Sequence, residues 1–333
     1  MKKKHTYIIA EAGVNHNGDI KLAYKMIDAA KECGVDCIKF QTFKTENLVT
    51  KNAEKADYQV KNTKNNDSQY DMLKKLELSF DDFYNLKDYC EKIGIDFMST
   101  PFDFESVDLL EKLNLNQYKI SSGDITNKPL LEYIAIKNKS IILSTGMCTL
   151  DEVKEAVEWV ENMGNNKITL LHCTSNYPTP YEDVNMKAMI TMKNSFPYPI
   201  GYSDHTKGII IPIMAVAMGA TVIEKHFTLD KDMEGPDHKA SLNVEELKEM
   251  VEAIRNIDSA FGDGVKRPTE KELSTIKAAR KSIVAKCNIK KGEVFSKDNI
   301  CMKRPGTGLS PKKFDFLIGK KSNRDYNIDD FIF

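Results

Sequence analysis

The sequence predicts an α/β protein: a (β/α)₈ TIM barrel followed by a small C-terminal β-rich domain. The chain has 333 residues, enough for a barrel of about 250 residues and an appendage. Short, nearly continuous apolar runs alternate with amphipathic helical segments, which is the pattern of a parallel sheet covered on both faces. Eight such units precede the last 70 or so residues, and eight is the number that closes a barrel.

The eight predicted strands are short apolar runs bounded by polar or glycine-containing turns. They are Tyr7–Ala10, Cys37–Gln41, Asp96–Ser99, Tyr118–Ser121, Ser140–Ser144, Ile168–His172, Ile200–Ser203 and Thr221–His226. The helical patterns between and after them include Lys21–Cys33, Phe80–Ile93, Glu105–Leu113, Leu150–Met163, Gly208–Met218 and Glu245–Phe261. A doubly wound open sheet is the competing architecture. It is less favoured because no GxGxxG sequence follows the first strand.

Changes in composition divide the chain into domains. We expect the barrel in residues 1–261, a linker rich in turn residues in 262–276, and the β-rich domain in 277–333. The β-like pieces of the last domain are Ser282–Lys286, Glu293–Phe295 and Phe316–Ile318. Within the barrel, the long polar segment 44–75 breaks the rhythm of strands and helices, which predicts a functional lid or a mobile insertion.

The charge balance excludes some partners. The chain has 48 Lys and Arg against 49 Asp and Glu, so no basic excess favours nucleic acid as a partner. The charge is unevenly spread, because residues 277–333 contain fourteen basic and six acidic residues, a net +8 that leaves −9 for the rest. This asymmetry predicts that the C-terminal domain meets an anionic ligand or a partner body.

Cysteine usage and hydropathy indicate a cytoplasmic protein. The seven cysteines lack CxxC spacing, which is typical of reduced thiols and argues against a zinc ribbon. The N-terminal apolar run is too short for a signal peptide. The longest apolar stretch, Ile209–Ile223, is too short to span a bilayer and is interrupted by Pro212 and Gly219. We interpret this stretch as a buried helix followed by a strand.

Two lysines lie within predicted strands, where an unpaired charge is costly to bury. Lys39 and Lys119 should therefore point toward an anion. Hydroxyl groups of Thr100, Ser122 and Ser144 stand at the ends of neighbouring strands, and barrel active sites lie at those ends. Together these groups predict a phosphate or carboxylate site. The alternative is that the lysines only extend past the barrel rim into water.

Two histidines end the last two predicted strands. Neutral imidazoles from His205 and His226 could bind one divalent metal and leave several coordination positions for water and substrate. Such an open site favours Mn²⁺ or Mg²⁺ over a closed structural zinc. The alternative for either residue is a histidine packed in the core.

Carboxylates and a thiol complete the candidate chemistry. Glu11 and Asp124 lie at strand ends, where they could transfer protons or bind sugar hydroxyls, or else form salt bridges with the strand lysines. His172 and Cys173 could act as a nucleophilic pair, but a buried free thiol beside a core histidine is the more common arrangement.

Taken together, these segments resemble the sialic acid synthase family. The matching pieces occur in family order across nearly the whole chain, and the ordered set is far more specific than any single tetrapeptide. They are Glu11-Ala-Gly-Val-Asn-His-Asn-Gly18, Lys39-Phe-Gln-Thr42, Ser99-Thr-Pro-Phe102, Lys119-Ile-Ser-Ser-Gly-Asp124, Leu143-Ser-Thr-Gly-Met147, His172-Cys-Thr174, Tyr177-Pro-Thr-Pro-Tyr181, Tyr202-Ser-Asp-His-Thr206, Glu224-Lys-His-Phe-Thr228, Gly235-Pro-Asp237 and Lys303-Arg-Pro-Gly306.

The resemblance implies a reaction, a metal and a partner. The reaction would condense phosphoenolpyruvate with an N-acetylmannosamine-type sugar and water, and would release phosphate. The C-terminal part resembles the antifreeze-like (SAF) domain, which implies a domain-swapped homodimer in which this domain caps the barrel of the other subunit. Mn²⁺, with Mg²⁺ or Co²⁺ as alternatives, would be bound by His205 and His226.

The resemblance also assigns residues to the two substrates. Phosphoenolpyruvate would be bound by Lys39, Thr100, Lys119, Ser122, Ser144 and Ser203. The sugar would be bound or acted on by Glu11, Gln41, Tyr177, Asp237 and Arg304. Proton transfer to or from water would fall to Glu11 or Asp124.

Two departures from the family pattern bear on the substrate. Many bacterial members have Glu at the position of Asp124, and some have Asn at the position of Ser175. The resemblance favours N-acetylneuraminate synthase, with N,N'-diacetyllegionaminate synthase as the alternative. Two readings from other classes remain. One is a metal-dependent aldolase or hydrolase that does not use phosphoenolpyruvate, and the other is a non-catalytic sugar-binding barrel.

Overall fold

The computed structural model describes residues 5–63 and 67–333 and confirms the (β/α)₈ barrel. Eight parallel strands are hydrogen-bonded in the order β3-β2-β1-β8-β7-β6-β5-β4, so the first strand pairs with the last. The strands are β1 (Tyr7–Gly13), β2 (Cys37–Thr42), β3 (Asp96–Pro101), β4 (Gln117–Ile120), β5 (Ser140–Ser144), β6 (Ile168–Cys173), β7 (Ile200–Asp204) and β8 (Val222–His226).

Helices follow the strands and cover the sheet. They are α1 (Ile20–Cys33), α2 (Thr45–Leu48), α3 (Asp57–Thr63), α4 (Gln69–Leu76), α5 (Phe80–Ile93), α6 (Phe104–Lys112), α7 (Lys128–Ala135), α8 (Leu150–Asn162), α9 (Lys187–Ser195), α10 (Ile210–Ala217) and α11 (Val244–Ala260). The apolar stretch singled out in the sequence forms α10 and the start of β8, as predicted. Within the described residues no helix is long and apolar enough to cross a membrane.

Local signals explain where the helices begin and end. Helices α5, α8 and α11 each start with a capping box. The side chain of the residue before the helix accepts from the backbone N–H three residues later, and the side chain of that later residue accepts from the backbone N–H of the first. Ser79 and Asp82 form one of these pairs. Helix α1 ends at Gly34, whose φ of 79° is a left-handed conformation that glycine adopts without steric cost.

The barrel interior determines where polar side chains can go. Successive residues of a strand face opposite sides, so every second residue points inward. At the amino-terminal half of the barrel these inward residues form a closed apolar layer of Ile9, Cys37, Met98, Ile142, Leu171 and Val222. Gly201 allows this tight packing, because an added Cβ would lie 2.5 Å from the carbonyl oxygen of Val222. The next inward residue of several strands is polar, and those residues form the site described below.

The described part of segment 44–75 contains helices. They are α2, α3 and all but the last residue of α4. Residues Met72 and Leu76 of α4 pack with Val14 and Phe43 in a small apolar cluster beside the barrel mouth. Residues 64–66 lie outside the described part of the chain.

The chain divides into two compact units, residues 1–261 and 262–333. In the second unit, β9 (Ser282–Ala285) pairs antiparallel with β10 (Ile300–Lys303) over a small core that includes Phe295 and Tyr326. The predicted linker contains the start of helix α12 (Glu272–Ala279). Two details of the sequence analysis were wrong: Ile300–Lys303 was missed as a strand, and the predicted strand at 316–318 overlaps helix α13 (Phe314–Leu317).

Candidate active site

A cavity of about 340 Å³ lies at the carboxyl ends of the barrel strands. Its wall includes the inward residues that follow the apolar layer, two steps further along their strands. Most of the residues proposed from the sequence line it, namely Glu11, Lys39, Gln41, Thr100, Lys119, Ser122, Ser144, Tyr177, Ser203, His205 and His226. Residues spread over more than 200 positions of sequence are therefore brought to one place.

The floor of the cavity is a buried cluster of charges. Lys39 Nζ lies 2.8 Å from Glu11 Oε2 and 3.6 Å from Glu224 Oε2, and it donates to Thr100 Oγ1 at 3.1 Å. Lys119 Nζ lies 3.6 Å from Glu224 Oε1 and donates to the Ile120 carbonyl. Glu11 thus forms the salt bridge that was the alternative to a role in proton transfer. Neither lysine extends past the rim, because both are almost completely buried.

Burial and neighbouring charges shift these groups in different directions. Burial raises the pKa of Glu11 to about 7, although the ammonium of Lys39 opposes the shift. Burial also acts to raise the pKa of Glu224, but the two lysines outweigh it and the pKa is lowered. Burial lowers the pKa of Lys119, whereas for Lys39 the two carboxylates outweigh burial and the pKa is raised. The cluster therefore holds one firmly ionised carboxylate and one that titrates near neutrality.

Several buried polar atoms around this cluster have no hydrogen-bond partner among the described residues. They include Ser144 Oγ, Glu224 Oε2 and His226 Nδ1. Native proteins satisfy nearly all buried polar atoms, so a group of exceptions in one cavity is typical of a site built to bind a polar ligand. Other hydroxyls are already engaged: Ser203 Oγ donates to Glu224 Oε1 at 3.0 Å, and Ser122 Oγ accepts from the Gly146 N–H at 2.9 Å.

The two imidazoles lie side by side, with ring centroids 5.5 Å apart. His205 Nδ1 lies 2.7 Å from the Thr174 carbonyl, which can only accept, so Nδ1 carries a proton and Nε2 is the nitrogen left for a ligand. Burial acts to lower the pKa of His205, but the neighbouring Cys173 thiol outweighs it and the pKa is raised. Burial, with help from His205 and the lysines, lowers the pKa of His226 and keeps this ring neutral. Neutral imidazole is the form that binds metals.

The donor set fits a metal that is also bound by water and substrate. Within residues 5–63 and 67–333 there is no group of three or more His, Cys, Asp or Glu side chains that could hold a metal ion. The protein can therefore offer two imidazole nitrogens here, one from each histidine. On His226 the nitrogen is Nδ1, which has no partner among the described residues, or Nε2 of the same ring. Such a sparse set leaves open positions, as in catalytic rather than structural sites.

An aromatic wall stands beside the imidazoles. The Tyr177 ring lies 4.1 Å from His205 and 5.8 Å from His226, centroid to centroid. Asp237 does not line the cavity, but its carboxylate acts electrostatically on the Tyr177 phenol. It is buried, its Oδ1 has no hydrogen-bond partner among the described residues, and burial raises its pKa to about 6. An unpaired buried carboxylate of this kind can accept a hydrogen bond from a hydroxyl or N–H group of a ligand.

Some predicted residues do not line the cavity. The Asp124 carboxylate accepts from Ser121 Oγ at 3.1 Å and from Asn127 within its own short 3₁₀ turn. Arg304 is exposed and belongs to the second unit.

His172 and Cys173 point to opposite faces of β6, so they form no pair. Cys173 lines the cavity 3.7 Å from His205 Nδ1, and His172 bonds the Val184 carbonyl.

A second and larger cavity, about 680 Å³, lies between the ends of β5 and β6 and helix α9. It shares Met147 and Cys173 with the first cavity. Two of its polar lining groups are already used within the protein, since Thr145 Oγ1 donates to the Leu171 carbonyl and His172 bonds Val184. The charged groups converge in the smaller cavity, which is therefore the candidate active site.

Sequence reasoning missed two residues of the site. Glu224 is the carboxylate that both lysines share, and its signal was available, because it stands two residues before His226 and so faces the same side of β8. Tyr58 also lines the cavity, but it belongs to the insertion after β2. No strand periodicity could have placed it there.

The fold is that of a barrel enzyme, with buried lysines and a pair of imidazoles in a cavity at the carboxyl ends of the strands. Residues 26–266 match the NeuB family and residues 280–332 match the SAF domain, so the chain belongs to the NeuB family. It is a nonulosonate synthase, a transferase that forms a carbon–carbon bond with phosphoenolpyruvate, in line with the resemblance seen in the sequence.

Relatives of known name extend over nearly the whole chain. An N,N'-diacetyllegionaminic acid synthase of Campylobacter jejuni is 52% identical over 331 residues, covering 99% of both proteins. A protein of the same name from Legionella pneumophila is 49% identical, over 95% of this chain and 90% of its own length. Among solved structures, an N-acetylneuraminic acid synthetase from Leptospira borgpetersenii is 36% identical with a TM-score of 0.72, over 82% of this chain and 91% of its own.

Proposed function

We propose that this protein condenses phosphoenolpyruvate with 2,4-diacetamido-2,4,6-trideoxymannose and water to give N,N'-diacetyllegionaminate and phosphate. The identities of 52% and 49% to synthases of that name support this acceptor over N-acetylmannosamine, which the sequence analysis favoured. N-acetylmannosamine remains the second candidate, because the Leptospira structure named for N-acetylneuraminic acid also matches at 36% identity. The observation that carries the general reaction is the pair of buried lysines beside a pair of adjacent imidazole rings.

The lysine side of the cavity suits phosphoenolpyruvate. Lys39 and Lys119 supply positive charge within a low-dielectric pocket, where ionic interactions are strong. Hydroxyls of Thr100, Ser144 and Ser203 add short donors around them, and Ser144 Oγ is one of the buried atoms that lack a partner. In the proposed complex the phosphate and carboxylate oxygens of the substrate replace Glu11 and Glu224 as the ion-pair partners of the lysines.

The imidazole side suits a divalent metal, for which Mn²⁺ is proposed, with Mg²⁺ or Co²⁺ as alternatives. His205 and His226 would hold it through ring nitrogens that face the cavity. A bound divalent ion would act as a Lewis acid toward the carbonyl oxygen of the open-chain sugar. Oxygen ligands from water and sugar would complete its coordination.

The proposed chemistry uses the protein to hold the reactants and move protons. C3 of phosphoenolpyruvate forms a bond to the sugar aldehyde carbon, whose oxygen gains a proton, and C2 becomes an oxocarbenium ion. Water adds to C2 and loses a proton. The resulting intermediate then releases phosphate by cleavage of the bond between C2 and the phosphate oxygen. Fixing the two carbons in contact removes much of the entropic cost of a reaction between two molecules.

Glu11 is proposed as the proton-transfer group. Its pKa of about 7 allows it to take a proton from the attacking water and return it at neutral pH. Gln41 Nε2 donates to Glu11 Oε1 at 3.3 Å and holds the carboxyl group toward the cavity. Asp124 is the less favoured group, because it does not line the cavity.

The C-terminal unit is proposed to complete the sugar site of a second subunit. The resemblance implies a domain-swapped homodimer in which Arg304 contacts the acyl group of the sugar, and the net +8 of residues 277–333 agrees with a surface that meets an acidic body. Mixing Arg304→Ala with Glu11→Ala subunits should then restore part of the activity, because one site in each mixed dimer keeps both residues. Absence of rescue after verified subunit exchange would contradict the swap.

The deciding experiment measures phosphate released from phosphoenolpyruvate with each of the two sugars, with Mn²⁺ and after chelation. We expect release that depends on both metal and sugar, with a kcat/KM for 2,4-diacetamido-2,4,6-trideoxymannose at least tenfold above that for N-acetylmannosamine, about 1.4 kcal/mol of discrimination. The reverse preference would support the second candidate. No phosphate release with either sugar would contradict the proposed reaction.

A further inference from the structure

One wall of the cavity comes from outside the barrel strands and their immediate ends. Ala56 and Tyr58 belong to the insertion between β2 and α5, and both line the cavity. The Tyr58 ring stacks on the Tyr177 ring, with centroids 5.1 Å apart and an interplanar angle of 28°. Tyr177 in turn contacts the two imidazole rings. The insertion therefore contacts the aromatic wall of the cavity through the Tyr58 ring.

Several contacts hold the insertion against the barrel mouth. Asn62 Nδ2, on the same helix as Tyr58, donates to the Pro236 carbonyl at 2.6 Å. Within the insertion itself, Lys55 Nζ pairs with Asp67 Oδ1 at 2.8 Å. At Gly18, a Cβ would lie 2.3 Å from the Lys75 carbonyl oxygen, so the turn after β1 packs directly on the end of α4. These contacts make Tyr58 part of a built wall and fix where its ring stands.

The surroundings of Tyr58 keep its hydroxyl group protonated. Burial raises the pKa of the Tyr58 phenol, and the nearby Asp237 carboxylate raises it further. The phenol is therefore a hydrogen-bond donor at any working pH. Asp237, with an unpartnered buried oxygen, can only accept when ionised. Tyr58 thus offers a donor, and Asp237 an acceptor that acts electrostatically on it, on the side of the site that has the aromatic rings, a combination suited to a ligand rich in hydroxyl and amide groups.

Tyr58 is separate from the groups assigned to phosphoenolpyruvate. Among the described residues no hydrogen bond or ion pair is seen between Tyr58 and the two lysines, or between Tyr58 and the serine hydroxyls of the cavity. Its ring contact is with Tyr177, which the resemblance assigns to the sugar. Any direct contribution of Tyr58 should therefore fall on one substrate and not the other.

We propose that Tyr58 is a specificity-determining residue that binds the acceptor sugar, through its hydroxyl group and through the ring that it stacks on Tyr177. The inference rests on the proposed condensation reaction and deepens it. It adds the insertion after β2 to the groups on the sugar side of the cavity, and leaves the phosphoenolpyruvate side to the barrel strands. Differences in this insertion would then change the accepted sugar without disturbing the phosphoenolpyruvate site.

The test compares Tyr58→Phe and Tyr58→Ala with the wild-type protein. Tyr58→Phe removes one hydrogen bond, so KM for the sugar should rise about five- to tenfold. Tyr58→Ala also removes the ring, so the rise should reach about thirtyfold or more, as for other buried aromatic anchors. KM for phosphoenolpyruvate should stay within about twofold, because no contact to the lysine side is lost. Tyr70→Ala, in the same insertion but not on the cavity wall, is the matched control and should leave both KM values near wild type.

Calorimetric titration of each protein with the sugar alone and with phosphoenolpyruvate alone accompanies the kinetics. It separates failure of this inference from failure of the proposed reaction, because it does not need turnover. A wild-type protein that binds the sugar but releases no phosphate would overturn the reaction, while weaker sugar binding by Tyr58→Phe would still support the inference. Sugar affinities within twofold of wild type in both variants, or equal losses of affinity for the two substrates, would overturn the inference about Tyr58. Tyr58→Phe keeps the stacked ring and guards against loss of folding in Tyr58→Ala.

Discussion

Two adjacent residues of β8, Glu224 and Lys225, belong to two very different buried charge clusters. Glu224 faces the cavity, where both lysines lie 3.6 Å from its oxygens and where its Oε2 has no hydrogen-bond partner in the part of the chain that the structure describes. Lys225 faces the surrounding helices, is fully buried, and lies 2.5 Å from Asp204 Oδ2 on β7 while also donating to the Thr206 carbonyl. Asp204 accepts two more hydrogen bonds, from the N–H and hydroxyl groups of Thr206.

The difference shows how a buried charge can be assigned to structure or to function. A buried ion pair is tolerated when every remaining donor and acceptor is satisfied, as around Lys225 and Asp204. In the cavity the charges are looser and several polar atoms are unsatisfied, a state that a folded protein avoids unless a ligand completes it. The strand pair β7–β8 thus has a charge cluster with its hydrogen bonds satisfied on its outer face, and a cluster with unsatisfied polar atoms on its inner face.

Replacing a lysine of the inner cluster should mainly affect catalysis. Lys119→Met keeps the length and volume of the side chain but removes a charge that burial already disfavours, as its lowered pKa shows. We expect kcat/KM for phosphoenolpyruvate to fall by about 10²–10³, with the free energy of unfolding changed by no more than about 1 kcal/mol. Phosphate-release kinetics and urea denaturation measure the two quantities. A large loss of stability with retained activity would break the comparison.

The same substitution on the outer face should mainly affect folding. Lys225→Met leaves Asp204 buried without its cation, so the free energy of unfolding should fall by about 3–5 kcal/mol. Urea denaturation measures this, and adding Asp204→Leu should recover much of the loss because the isolated charge is then gone. If the single variant is as stable as wild type, the outer cluster does not have the structural role assigned to it here.

The smallest effect is expected at Ser144, whose buried hydroxyl has no partner. Ser144→Ala should raise KM for phosphoenolpyruvate about five- to tenfold, the value of one hydrogen bond. The melting temperature should be unchanged or higher, because an unsatisfied buried hydroxyl is removed. A fall in melting temperature with unchanged KM would show that Ser144 supports the fold and not the ligand.

The sequence was sufficient for those parts of the molecule whose pattern is local. Buried parallel strands appear as apolar runs, so all eight were found to within a few residues, and polar side chains near their ends indicated where the site would be. The lysines at 39 and 119 stood out because an isolated charge in an apolar strand is costly. The same alternation would have selected Glu224, had it been applied to the residue two positions before His226.

Features that depend on tertiary contacts were not accessible in this way. Tyr58 reaches the cavity because its helix packs through Asn62 on the turn at Pro236, 174 residues away. In the C-terminal unit, Phe316 lies next to apolar residues that suit a strand, yet the turn at Pro311 leads into a short helix instead. Short apolar runs do not distinguish strand from helix without knowledge of their neighbours.

The pairing of β1 with β8 also governs how the barrel assembles. Thr6 lies just before β1, and its N–H and hydroxyl both donate to Asp258 near the end of α11, while Arg255 bonds the Thr6 carbonyl. During synthesis the first strand must therefore wait for more than two hundred residues to leave the ribosome before it gains this side of its pairing. Folding of such long-range topologies is slow. Until β8 is available, the edge of β1 that will pair with it is exposed and can associate with other chains. The barrel can therefore close only after residues 1–261 have been synthesised, when α11 forms its hydrogen bonds with Thr6.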